Sequence, residues 1–138
     1  MDRHKLVELM NEDLETEYQS IVQYVVHIAT TKGAEFTRVA EELRTHVSQE
    51  LDHAVALAEQ IDFLDGTPST RVPDVPKATD TKHALQLDLE LEERQLERYR
   101  ERFDQADEMG LPDVAEAIRP ILEQTQDHVR ELRQALGA

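Results

Sequence analysis

Ser48-Gln49-Glu50-Leu51-Asp52-His53-Ala54 is a polar stretch in the middle of an apolar helical stripe. Counted outward by sevens, that stripe reads Phe36, Leu43, Glu50, Leu57 and Leu64, with Val47, Ala54 and Ile61 between them. A stripe of this period faces the interior of a helical bundle. Glu50 and His53 stand at i and i+3, so one helix presents both to one neighbourhood. A carboxylate and an imidazole at that spacing, set among leucines, are the chemically informative part of the stretch.

The same pattern recurs along the chain. A first helix, about residues 4–31, carries Met10, Glu17 and Tyr24, with Leu14, Ile21 and Ile28 between. A second, about 35–64, carries the stretch above. A third, about 81–107, carries Leu85, Glu92 and Tyr99, with Leu89, Leu96 and Phe103. A fourth, about 112–136, carries Leu111, Ile118, Thr125 and Leu132, with Leu122, Val129 and Leu136. Asp80 or Thr79 is suited to cap the third helix, and Pro112 suits the first turn of the fourth. Pro120 falls inside the fourth helix and is expected to kink it or loosen a turn. No strand pattern is present.

Connection lengths set the topology. The turns near Gly33 and Gly110 are short, so each makes an antiparallel hairpin. Asp65 to Asp80 form a long connection with three prolines. It can reach about 50 Å when extended, and the second helix is about 45 Å long. The crossover 65–80 can therefore return along the bundle. The expected fold is all-α: a single domain over 1–138, two antiparallel hairpins joined by a long crossover.

Bulk properties bound the function. A chain of 138 residues suits one core. It has no cysteine, which suits a reducing cytoplasm and excludes thiolate sites. No apolar run suggests a signal peptide or membrane span. The formal net charge of −15 argues against a nucleic-acid partner and favours attraction of cations.

Glu17, Glu50 and Glu92 each sit near a helix midpoint, so side-by-side helices bring them to one height. The two hairpins also repeat at an offset of 75 residues. Glu17 corresponds to Glu92, Tyr24 to Tyr99 and His53 to His128, while Glu50 corresponds to Thr125. Buried carboxylates are costly unless paired or bound to metal, and the stripes offer these three no Lys or Arg. One or two divalent cations are the natural partner; mixed carboxylate and imidazole ligands suit Fe, Mn or Zn. A polar core without metal, with carboxylates sharing protons, is the alternative. Tyr24 and Tyr99 are expected to bond carboxylates. His46 is open between a role behind the site and simple packing; His27 is expected to pack or bond locally.

Several segments resemble bacterioferritin, within the ferritin-like di-iron carboxylate superfamily. They are Asn11-Glu12-Asp13-Leu14, Gln23-Tyr24-Val25-Val26-His27, Ser48 to Ala54, Phe63-Leu64-Asp65-Gly66, Asp88-Leu89-Glu90-Leu91-Glu92, and Ile121-Leu122 leading to His128. The resemblance implies a ferritin-like four-helix bundle that binds two irons and oxidises Fe(II) with O₂ or peroxide. It implies terminal ligand roles for Glu17 and Glu92, a bridging role for Glu50, and imidazole ligands His53 and His128. Thr125 stands where the family has its second bridging glutamate and cannot supply an anion. Gln126 and Glu123 point away from that position. The second ion should therefore bind more weakly, and a non-catalytic bundle holding one ion, or a structural or partner-binding bundle holding none, stays open. The haem-ligating methionine corresponds to Leu51, so no haem is expected. The chain stops after the fourth helix, so a homo-oligomer, a dimer rather than a 24-subunit cage, is expected. Gln49 and Gln124 stand where the family tends to place acids that support the histidines.

Overall fold

The computed structural model describes residues 1–137. Four long helices form: α1 (Arg3–Thr30), α2 (Thr37–Phe63), α3 (Thr81–Glu108) and α4 (Pro112–Leu136). A single 3₁₀ turn, Ala34–Phe36, leads into α2. The described residues contain no strand, and none of their helices is long and apolar enough to cross a membrane.

Local chemistry sets the helix ends. Asp2 accepts the Lys5 amide at 2.8 Å, and Asp80 accepts the His83 amide at 2.8 Å, each satisfying an unpaired donor of a first turn. Pro112 opens α4, where its missing N–H costs nothing. Gly137 ends α4 in the left-handed region, which needs no Cβ. Pro120 lies inside α4, and the helix is continuous through it.

The crossover lies along α1. At its start Arg3 pairs with Asp65, and a Cβ on Gly66 would sit 2.5 Å from Val7 Cγ1. Asn11 then donates to the Thr67 carbonyl and accepts the Ser69 amide, and Tyr18 donates to the Ser69 carbonyl at 2.8 Å. At the far end the Lys32 amide donates to Thr81 Oγ1. The segment thus travels from the N-terminal end of α1 to its C-terminal end. Helix α3 therefore starts where α1 stops, antiparallel to it and parallel to α2. Each helix packs against two others: α1 with α2 and α3, α4 with α3 and α2.

The interior has three zones. Leu6, Met10, Leu14, Leu57, Ile61 and Ile118 fill one end. Val39, Leu43, Leu85 and Leu132 fill the other. Each such side chain contributes about 1.5–3 kcal/mol by leaving water. Between them lies a polar waist holding Glu17, Glu50, Glu92, His53 and His128.

Two buried polar contacts, one an ion pair and one between a histidine and a carboxylate, join α1 to α3 and flank the waist. Arg102 donates to both oxygens of fully buried Asp13, at 2.6 and 3.0 Å. His27 Nδ1 lies 2.8 and 2.9 Å from the two oxygens of Asp88, which also accepts from Gln23. His27 is packed in the interior, one of the two expected outcomes, and its hydrogen bond runs across helices rather than locally. The two pairs obey the hairpin repeat, since Asp13 corresponds to Asp88 and His27 to Arg102.

Replacing Arg102 by Met leaves Asp13 buried without its cation. We expect a loss of about 3–5 kcal/mol in urea unfolding. The double replacement Asp13→Asn with Arg102→Met should recover part of that loss.

Candidate metal centre

The waist is assembled from all four helices. Glu17 comes from α1, Glu50 and His53 from α2, Glu92 from α3, and Thr125 and His128 from α4. All six are at most 2% exposed. They form two trios that share Glu50: Glu17, Glu50 and His53, and Glu50, Glu92 and His128. Within each trio, one ligand atom from every residue lies within 4.8 Å of the others. The five proposed ligands are thus brought together.

Neighbouring side chains fix how each group points. Tyr99 Oη and Gln95 Nε2 both donate to Glu17 Oε1, leaving Oε2 buried with no partner. Tyr24 Oη donates to Glu92 Oε1 at 2.8 Å. Ser20 Oγ reaches Glu50 Oε2 at 3.4 Å. The two tyrosines follow the hairpin repeat and reach across it, each holding the carboxylate of the other half.

The imidazoles are oriented by glutamines. His53 Nε2 lies 2.7 Å from Gln124 Oε1, and His128 Nε2 lies 2.6 Å from Gln49 Oε1. An amide oxygen only accepts, so each Nε2 carries the proton. Each Nδ1 is left facing the carboxylates. His128 Nδ1 sits 2.8 Å from Glu50 Oε1 and 3.4 Å from Glu92 Oε2. His53 Nδ1 sits 3.5 Å from Glu50 Oε2 and 3.7 Å from Glu17 Oε1. Despite these short separations, His53 Nδ1, His128 Nδ1, Glu50 Oε1 and Glu17 Oε2 have no aligned hydrogen-bond partner. Electron-rich atoms at such distances in a dry interior call for a cation among them, either protons or a metal ion. The residues fit a divalent metal: hard carboxylate oxygens, neutral imidazole nitrogens, and outer partners that hold both in place.

Without metal, protons take that role. Burial and then the Glu50 charge push the Glu17 carboxyl up to about 8. Burial opposes protonation of His53 and His128, but contacts with Glu17, Glu50 and Glu92 outweigh it and raise them to about 11 and about 10.

Thr125 is buried in the waist, but its hydroxyl donates to the Ile121 carbonyl of its own helix at 2.8 Å. It adds no charge. Glu123 and Gln126 line a surface cleft with Leu96 and Arg100 and do not replace it. Leu51 is exposed on the outside of α2. The sequence reading missed Gln95 as a donor and left His46 open. His46 is buried, its ring stacked 4.0 Å from that of His128 and edge-on to Tyr24. Its position one heptad before His53 was the available signal.

The ferritin-like domain family model matches residues 7–138. A bacterioferritin of Mycobacterium leprae is 26% identical over 133 residues, covering 96% of this chain and 84% of the relative. A bacterioferritin of Rhodobacter capsulatus is 30% identical over 107 residues, covering 77% of this chain and 66% of the relative. A bacterial ferritin of Pseudomonas aeruginosa is 31% identical over 88 residues, covering 64% of this chain; the match spans 57% of that relative's length. A crystal structure of ferritin-like, diiron-carboxylate proteins from Bacillus anthracis strain Ames superposes with a TM-score of 0.92 at 30% identity, covering 99% of both chains.

Glu17, His53 and His128 hold protons more tightly in the folded, metal-free chain than at their ordinary values of 4.5 and 6.5. Between those values and the raised ones the folded state carries extra protons, so stability falls as pH rises. Chelator-treated protein should therefore melt at progressively lower temperature from about pH 5 to about pH 9. A rising melting temperature across that window would contradict proton sharing in the waist.

Proposed function

Because this chain belongs to the ferritin-like domain family, we propose that it binds Fe(II) as substrate in the buried waist and oxidises it with O₂ or peroxide. One observation carries the reading. Two carboxylate–histidine trios share Glu50, and four of their atoms, Glu17 Oε2, Glu50 Oε1, His53 Nδ1 and His128 Nδ1, are buried with no hydrogen-bond partner. A shared carboxylate is what two adjacent ions require.

In this reading Glu17 and His53 hold one ion, Glu92 and His128 the other, and Glu50 serves both. Tyr99 and Gln95 keep Glu17 aimed inward, and Tyr24 does the same for Glu92. Gln124 and Gln49 fix the imidazole tautomers, so both Nδ1 lone pairs are available. Binding displaces the protons that the metal-free waist holds, so affinity rises with pH. Bound iron supplies one electron per ion, and two ions match the two electrons that peroxide takes up with two protons to give two waters. Mn or Zn fits the same donors. The proposed setting is the cytoplasm, and the proposed assembly is a homo-oligomer of two copies. Exposed Val22, Val25 and Val26 on α1, and Leu51 and Val55 on α2, support that assembly.

A second reading has its own observation. Thr125 bonds its own helix and brings no anion. Three carboxylates leave one positive charge when two divalent ions bind, so the second ion needs hydroxide or another anion. A bundle that holds one ion tightly and does no chemistry follows if that anion is not found.

Elemental analysis after native purification should give about two metal ions per chain under the first reading and about one under the second. Fe(II) oxidation followed by absorbance then separates oxidation from storage of a single ion. Glu50→Ala should lose metal under both readings, and undiminished content would sink both. Thr125→Glu should tighten the second ion by about tenfold or more.

A further inference from the structure

The waist is sealed, so a substrate cation needs a way in. The hairpin repeat shows where the bundle departs from its own symmetry. Helix α2 carries Glu42 and His46, and α4 carries Glu131. Their counterparts at the offset of 75 are Ala117, Ile121 and Ala56. One end of the site is closed by apolar side chains, with Ile121 buried in the core and Ala56 packed against it. At the other end the same positions hold two carboxylates and an imidazole. The fold does not require this polarity, because its own second half does without it.

The polar positions connect the surface to the waist. Glu131 and Glu42 are partly exposed and line a cleft of about 220 Å³ between α2 and α4, which Glu35 and Arg38 also line; the exposed Arg38 Nε pairs with Glu42 Oε1 at 3.4 Å, so an arriving cation displaces that guanidinium. Both acids line this one cleft, and burial and the neighbouring Glu131 charge hold the Glu42 carboxyl above its ordinary value. From the cleft, Glu131 Oε2 reaches His46 Nε2 at 2.6 Å. The His46 ring is 1% exposed, and its other nitrogen, Nδ1, is buried without a partner. The ring is stacked on His128, a member of the trio with Glu50 and Glu92. A buried imidazole with an unpaired nitrogen lies between a carboxylate that solvent reaches and a trio that it does not.

We infer that the α2–α4 cleft is the route by which a hydrated divalent cation reaches the waist, collected by Glu42 and Glu131 and passed by His46 to the His128 side. This rests on the reading of the waist as a metal site. A pair of carboxylates at a narrow mouth concentrates cations and speeds capture. His46 gives a partly dehydrated ion a nitrogen ligand along the path, where bare leucines would offer none. The asymmetry also sets an order: the Glu50, Glu92 and His128 trio fills first.

The test separates the rate of uptake from its equilibrium. Co(II) is added to the metal-free full-length chain, and its visible absorption is followed by stopped flow and by titration. In the double variant Glu42→Gln with Glu131→Gln, the amide oxygen introduced on α4 can still accept from His46, so the contact persists while the charge is lost. We expect uptake to slow by about tenfold and to depend less steeply on ionic strength. The final stoichiometry and affinity should be unchanged. His46→Ile, which copies the residue at Ile121, should likewise slow uptake while the end point is kept. Unchanged rates in both variants would overturn the route. So would equal losses in rate and affinity, which would make these residues supports of the site. If the unaltered chain takes up no Co(II), the metal reading itself fails and the route falls with it.

Discussion

Three carboxylates sit in an interior that supplies no lysine or arginine to meet them. That is the constraint on which the rest of the molecule depends. An ionised carboxylate in an apolar core is costly by several kcal/mol even after the surroundings relax. Arg102, the buried arginine, is already committed to Asp13. The positive charge that meets Glu17, Glu50 and Glu92 must therefore come as protons, held with His53 and His128, or as metal. The two apolar zones above and below the waist supply the stability that lets the polar layer exist.

The supporting side chains make sense against that constraint. Each carboxylate or imidazole turned inward is held by a group that is not itself a ligand: Tyr99 and Gln95 for Glu17, Tyr24 for Glu92, Gln124 for His53 and Gln49 for His128. The glutamines are neutral where an acid would raise imidazole basicity further. They fix the tautomer but add no negative charge to a site already rich in it. The Asp13–Arg102 and Asp88–His27 pairs clamp α1 to α3 at both sides of the waist and so hold Glu17 and Glu92 in position.

Much of this was legible in the chain. Heptad stripes located four helices, and one glutamate near the middle of three of them placed the site, because helices packed side by side share a height. The glutamate-to-histidine spacing at Glu50 and His53 and the repeat at His128 pointed to the other two side chains that the structure gathers in the waist. What escaped had weaker signals. Asp13 and Asp88 lie beside the stripes, and their burial depends on partners from another helix that no local pattern reveals. Gln95 looks like an ordinary surface glutamine of an acidic helix until α1 packs against it. His46 was ambiguous because heptad position gives direction but not what fills the neighbouring helix at that height. The partner of His27 on α3 was hidden for the same reason.

The strap of residues 65–80 has a consequence for how the chain finds this arrangement. The bonds from Asn11 and Tyr18 to Thr67 and Ser69 have no counterpart in the second hairpin. They span more than fifty residues of chain, so closing them costs more chain entropy than closing either local turn. The strap thus works as a topological selector: its bonds to α1 fix on which flank of that helix the third helix lands.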